Sequence, residues 1–367
     1  MPIVEVGYFS PYREEILYRG GNSDIDINYA LVNYLKSRNN INLINTVISK
    51  ESSILSNIRK FLFTPSDFLI IPYPDIIFTP KGIARGFFSL CIYLLLKLKS
   101  EIKRQKIVFY LVDLIGAQSK FLGLRESCLS QIIYNYEKYI LLLGDYIISP
   151  SMLFKEFLAK EYKIPIHKIL VVRRTPYFSS LKKAINPRIE DSAIKVLYAG
   201  ELSREEEKNL LSLIIQSFRN KNNILLYIAG PRGEWLYSFK QENIKYLGVL
   251  NRTALEEIAR ECHMGLILYK RNFYTNMCSS TKYSFYVSNG LAVASTDVEV
   301  IRNIIIEDGT GFAEPEISFV NRLEEALENL EMIARWRRNS LLIGEAIRSG
   351  FYLDECFNQL WKLKGGK

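Results

Sequence analysis

Apolar runs of the length of a buried strand alternate along this chain with stretches of helical spacing. In the first half the strand-like runs are 3–8, 43–48, 68–71, 107–112, 146–148 and 169–172. Helical segments fit between them, as where Ile27, Ala30, Leu31, Tyr34 and Leu35 share a face, with Ser23 as a cap and Asp26 three residues on. From 173 to 192 the periodicity weakens, the polarity is mixed and two prolines occur, which predicts a linker. The alternation then restarts. Strand-like runs fall at 194–199, 224–229, 244–247 and 265–269, and one helical face carries Leu210, Leu211, Ile214, Ile215 and Phe218. Further helices are expected near 254–260, from Asp297 through Val300, Ile301 and Ile304, and in two segments from about 317 to the end. This order predicts α/β architecture with parallel sheets in two doubly wound domains.

The richest unit runs from Ser279 to Ala294. Ser279, Ser280 and Thr281 offer hydroxyls for an N-cap, Lys282 lies in the first turn, and Tyr283, Tyr286 and Val287 form one apolar face. Gly290 ends the helix, and a short buried strand follows. A helix start presents backbone N–H groups and the positive pole of the macrodipole, both of which favour phosphate. Lys282 adds a point charge at the same place.

That unit resembles the late segment of group 1 glycosyltransferases of the GT-B fold, roughly Ser-Pro-x-Lys-hydrophobic-x-x-Tyr-hydrophobic-x-x-Gly-hydrophobic-Pro-Val. Ser279, Lys282, Tyr286, Gly290, Leu291 and Val293 fall in register, with Ala292 where proline is usual. Many members carry two glutamates around this segment, and Met277 and Phe285 stand at those positions here. Galactofuranosyltransferase-like and glucosyltransferase 3-like members also tend to lack that pair, and Lys282-Tyr283-Ser284-Phe285-Tyr286 is similar to theirs.

The resemblance implies roles for other turns. Gly20-Gly21 resembles the glycine loop of the acceptor domain, with an ordinary flexible turn as the alternative. Asp113 follows an apolar strand at the family's His-Asp-Leu position, with Val112 replacing histidine, and is either an acceptor-side residue or the cap of the next turn. Tyr198-Ala199-Gly200-Glu201-Leu202 resembles the turn whose basic residues reach the donor diphosphate. Glu201 replaces the usual arginine, which leaves Arg204 or Lys208 to take over unless they are simply solvated. Gly230-Pro231 and Gly248-Val249 match turns bordering base and ribose. Catalytic candidates are thus Asp113, Lys282 and Arg204. Substrate-binding candidates are Gly20, Gly21, Gly200, Lys208, Gly230, Pro231, Gly248, Val249, Ser279, Ser280, Thr281 and Tyr286.

Composition narrows the picture. Apolar content of 48% with mean hydropathy near zero fits a folded, soluble chain of 367 residues in two domains. The N-terminal run reads as a strand rather than a signal peptide. Five scattered cysteines argue for a reducing compartment, and with two histidines they make a metal cluster or a histidine triad improbable. Asp24-Ile25-Asp26 opens a helix, where acids favour the dipole, so no metal and no cofactor are expected beyond the donor substrate. Residues 1–191 hold 26 Lys and Arg against 17 Asp and Glu, which accounts for the whole net charge of +9. The apolar run 87–96 feeds a cation cluster at 97–106. It reads either as a helix on an anionic bilayer or as a core helix with a solvated basic end.

The expected architecture is therefore α/β, GT-B, with two Rossmann-like domains facing a central cleft and a C-terminal helix crossing back. The boundaries are 1–185 for a basic acceptor domain, 193–343 for a nucleotide-sugar donor domain and 344–367 for the last helix. The expected function is transfer of a sugar from a nucleotide sugar to a glycan or lipid-linked acceptor, with retention and without metal. Its place is the cytoplasm, either free or at the inner membrane face. The alternative is a catalytically inactive nucleotide-sugar-binding or adaptor protein on the same scaffold. No nucleic-acid partner is expected, since no reading motif accompanies the charge.

Overall fold

Six strands of the first half pair in parallel in the order β2-β1-β3-β4-β5-β6. They are β1 (Val4–Ser10), β2 (Ile41–Val47), β3 (Phe68–Tyr73), β4 (Lys106–Leu111), β5 (Tyr146–Ser149) and β6 (Ile169–Val171). The computed structural model describes residues 3–10, 23–47, 66–73, 83–121, 127–179, 193–239 and 241–365. Gly20 and Gly21 lie outside them. β3 is buried at all six positions and β4 at all but its first, as expected of central strands covered on both faces. The helices are α1 (Ser23–Ser37), α2 (Ile83–Lys103), α3 (Ile115–Phe121), α4 (Ser127–Leu142) and α5 (Met152–Glu161).

The second half repeats the plan, with a parallel sheet in the order β12-β11-β10-β7-β8-β9. Its strands are β7 (Ile194–Ala199), β8 (Ile224–Ala229), β9 (Ile244–Tyr246), β10 (Met264–Ile267), β11 (Ala292–Thr296) and β12 (Gly311–Glu314). Its helices are α6 (Glu205–Ser217), α7 (Arg252–Glu261), α8 (Phe273–Met277), α9 (Thr281–Ser288), α10 (Glu299–Asp308), α11 (Glu316–Glu328) and α12 (Leu330–Ser349). The core of this unit joins Val196, Tyr198, Leu211, Ile215, Leu226 and Leu266, among others, from β7, α6, β8 and β10.

A last helix, α13 (Phe351–Gly365), follows. The chain divides into one unit of Met1–Arg174 with Tyr352–Lys367 and another of Thr175–Phe351. α13 thus returns to the first unit. Trp361 meets Phe68 of β3 at 4.9 Å between ring centroids, and Phe357 stacks on Tyr34 of α1 at 5.5 Å. Asp354 accepts bonds from Tyr34 Oη (2.8 Å) and from Arg38 Nε (3.0 Å).

Several elements differ from their sequence signals. The C-terminal stretch holds three helices rather than two, because Asn329 and Gly350 (φ 81°) interrupt it. Asp297 does not cap α10; its carboxylate pairs with Arg271 and Arg302, and the N-cap is Val298. α8, closed by an Asn272/Thr275 capping box, had no apolar period to announce it. Arg174, Thr175 and Tyr177, in the stretch expected to be a loose linker, are buried.

Candidate functional site

β7, β8 and β9 each end in a glycine turn, and the three turns interlock. Gly200 N–H donates to Ala229 O (2.9 Å), and Gly230 N–H donates to Gly248 O (2.8 Å). A Cβ on Gly230, at φ 150°, would stand 1.8 Å from Gly200 O, so no larger residue fits. Gly248, at φ 67°, faces open space, Val249 is exposed, and Pro231 is exposed as well. Chain segments far apart in sequence thus build one open edge at the carboxyl ends of the strands, where α/β sheets bind ligands.

α9 brings Lys282 to that edge. The backbone N-cap is Ser280, and no side chain closes the helix start, contrary to the expectation from three hydroxyls. Ser279 pairs instead with the hydroxyl of Thr175, and Ser280 Oγ lies 3.4 Å from Tyr269 Oη. Thr281 and Lys282 stay partly exposed, while every residue from Tyr283 to Ser288 is buried. The helix is thus enclosed on all sides after its first turn, rather than on one apolar face. Its far end is held by three arginines. Arg337 Nε donates to Gly290 O (3.0 Å), an Arg348 Nη to Ser288 O (2.5 Å) and Arg260 Nε to the side chain of Asn289 (3.2 Å). Cations there offset the negative pole of the macrodipole.

The Lys282 ammonium occupies a defined slot. It lies 4.8 Å from the Tyr198 ring centroid and 4.9 Å from that of Tyr269, so both aromatic faces attract it. A Cβ on Gly200 would stand 2.4 Å from Nζ. Glu207 Oε2 is 3.8 Å away, and the Glu207 side chain is only 5% exposed. Tyr198 Oη donates to the same Oε2 at 2.5 Å, and burial together with that carboxylate pushes the Tyr198 hydroxyl well above its usual range. Arg204 donates to Glu207 Oε1 at 3.2 Å from the exposed N-cap position of α6. Lys208, one turn on, lies over the Trp235 ring at 5.2 Å. The structure therefore gathers Gly200, Gly230, Gly248, Arg204, Lys208 and Lys282 with the α9 start.

Tyr286 leaves the site, and Asp113 belongs to the first unit. Tyr286 is fully buried, and its hydroxyl bridges two strands: it donates to Leu266 O of β10 and accepts from the N–H of Ala199 at the end of β7, both at 3.0 Å. It is a strut of the sheet. Asp113 is half-buried, and its carboxylate accepts from Leu114 N–H (2.9 Å) and from the Gln118 amide. It closes the turn into α3. Sequence reasoning missed Glu207, Tyr269 and the direct role of Tyr198. Glu207 was hidden among Glu205 and Glu206 as one of three acids in a helix start; its spacing of three from Arg204 was the available signal. No group of side chains suited to a metal ion occurs among the described residues.

Residues 196–360 match the family model described as Glucosyltransferase 3-like, C-terminal domain. Among solved structures, a sucrose-phosphate synthase from Thermosynechococcus elongatus aligns with a TM-score of 0.67 at 11% identity, covering 98% of each chain. Anabaena HepE, solved in complex with UDP-glucose, aligns with a TM-score of 0.63 at 12% identity, covering 98% of this chain and all of that one. The lipopolysaccharide outer core galactosyltransferase WaaB aligns at 0.59 and 14% identity, over 98% of this chain and 99% of the other. At such identity the likeness fixes the fold. No curated protein matches by sequence.

Proposed function

We propose that the protein transfers a hexosyl unit from a nucleoside diphosphate sugar to a glycan acceptor, since residues 196–360 match the glucosyltransferase 3-like C-terminal domain model in a chain of GT-B fold. The observation that carries this reading is the Lys282 ammonium, lodged between Tyr198 and Tyr269 beneath the Gly200 turn and one residue inside an uncapped helix start. Cleaving the anomeric C–O bond leaves negative charge on the departing diphosphate. The α9 N–H groups, Lys282 and Arg204 are fixed donors for that charge, and they cost no reorganisation as it grows. With cations of its own in this place, the site calls for no metal to balance the diphosphate. Retention at the anomeric carbon follows the group 1 resemblance. UDP-glucose is the first donor to try, because HepE, which shares the fold, binds it.

A lipid-linked acceptor would require the first unit to work at a membrane face. α2 supports this, since Leu94, Leu95, Leu98 and Ile102 are exposed on one of its faces and Lys103 and Arg104 are exposed at its end. No helix among the described residues is long and apolar enough to cross a membrane.

A panel of UDP-, GDP- and ADP-sugars screened by thermal shift tests the donor assignment. A ligand at a hundred times its Kd stabilises by about 2.7 kcal/mol. A midpoint unmoved by every donor and every nucleoside diphosphate would remove the reading.

A further inference from the structure

We infer that Glu207 is the positioning residue that sets both diphosphate-directed cations of this site, Lys282 through one carboxylate oxygen and Arg204 through the other; the inference rests on the functional reading above. Three acids open α6, and as mere partners of the helix dipole they would all be solvated. Glu205 and Glu206 are, the latter paired with Lys270 at 2.8 Å between exposed side chains. Glu207 is not. At 5% exposure its burial carries a desolvation cost that isolated carboxylates do not bear. The compensation is specific: Oε1 meets Arg204 at 3.2 Å, and Oε2 meets Tyr198 Oη at 2.5 Å and Lys282 at 3.8 Å.

A residue at the third helical position of α6 would ordinarily turn back to the N-cap N–H, as in a capping box. Here the N-cap makes no side-chain capping bond, and the Glu207 carboxylate meets the two cations instead. Lysine has a long flexible stem, and two ring faces attract its ammonium without fixing a direction. The carboxylate supplies the direction. Its negative charge also competes with a bound diphosphate for the same cations. Removing it should therefore leave donor binding intact while loosening the donors that stabilise the leaving group. A residue important only for folding would not separate the two.

The test compares wild type, Glu207→Gln, Lys282→Ala and the double variant in the full chain, measuring donor KM, kcat and the thermal midpoint with UDP-glucose and the donor panel. Glu207→Gln is expected to lose kcat by about tenfold or more with donor KM unchanged or lower. In the Lys282→Ala background the same change should cost clearly less than in wild type, only the part carried through Arg204, since groups acting as a unit are not additive. Glu207→Asp keeps the charge and should recover part of kcat, which preserves the test if the glutamine variant does not fold. Losses that multiply independently, or a raised KM with kcat untouched, would overturn the inference while leaving the transferase reading in place. A wild-type chain that neither binds nor turns over any nucleoside diphosphate sugar would overturn both.

Discussion

Gly200 has no side chain because Lys282 already occupies the space where one would go. A Cβ there would fall 2.4 Å from Nζ and 2.7 Å from Cε, and the flexible lysine would give way before the backbone does. Gly200→Ala should therefore fold normally and mimic a lysine variant, with turnover reduced by about 10²-fold. Turnover equal to wild type would show that the lysine position is immaterial. The lysine itself was legible in the sequence, because a cation one residue into a hydroxyl-rich helix start is a local pattern. Glu207 was not, since its meaning depends on Tyr198 and Lys282 from other segments. Tyr286 was misjudged for the same reason: its motif position marked it as important, but only the packed sheet shows that it ties β7 to β10. A second buried carboxylate, Glu137, accepts bonds from the N–H groups of Gly116 and Ala117 and from Tyr73 and Tyr162. Burial outweighs these donors and pushes its carboxyl up to about 7 from an ordinary 4.5. The folded chain then holds a proton that the unfolded chain has released between those values, so stability falls as pH rises from 4.5 to 7. Urea denaturation across this window should show that slope, and Glu137→Gln should flatten it; an identical slope in the variant would contradict the assignment.

At the scale of elements, the parallel sheets were readable because their central strands, such as β3 and β4, are continuous apolar runs with no alternation. α9 was readable as a helix but not as a wholly enclosed one. Two glycines permit its enclosure. A Cβ on Gly265 of β10 would stand 2.4 Å from the Tyr286 ring, and one on Gly344 of α12 would stand 2.5 Å from Val287 O. The second obstacle is backbone, so Gly344→Ala should push α12 from α9 and cost about 1–3 kcal/mol by denaturant titration. A neutral result would mean that the two helices are free to separate. α2 has a core side and a solvent-facing apolar stripe. Tyr93 and Leu96 are core, whereas Ile102 is 82% exposed and Leu98 61% exposed. If that outer stripe meets lipid, the full chain should co-sediment with vesicles containing phosphatidylglycerol but not with phosphatidylcholine alone. Leu98→Glu with Ile102→Glu should abolish the association, while equal sedimentation of the variant would reject the membrane reading.

At the scale of the molecule, the excess charge and the proposed donor chemistry fall in different halves of the sequence. The net +9 lies in residues 1–191, and the glycine edge and Lys282 lie in the balanced remainder. The return of the last helix to the first unit rests on aromatic packing among Phe357, Trp361, Tyr34 and Phe68. Composition gives no hint of that pairing, since the contacts join opposite ends of the chain. The account depends most on the Lys282 slot receiving a diphosphate, and calorimetric titration of UDP-glucose, or of the best donor from the panel, into wild type and Lys282→Ala tests it most directly. Saturable binding by wild type, weakened by about tenfold or more in a folded Lys282→Ala protein, is the predicted result; identical binding curves for the two proteins would contradict it.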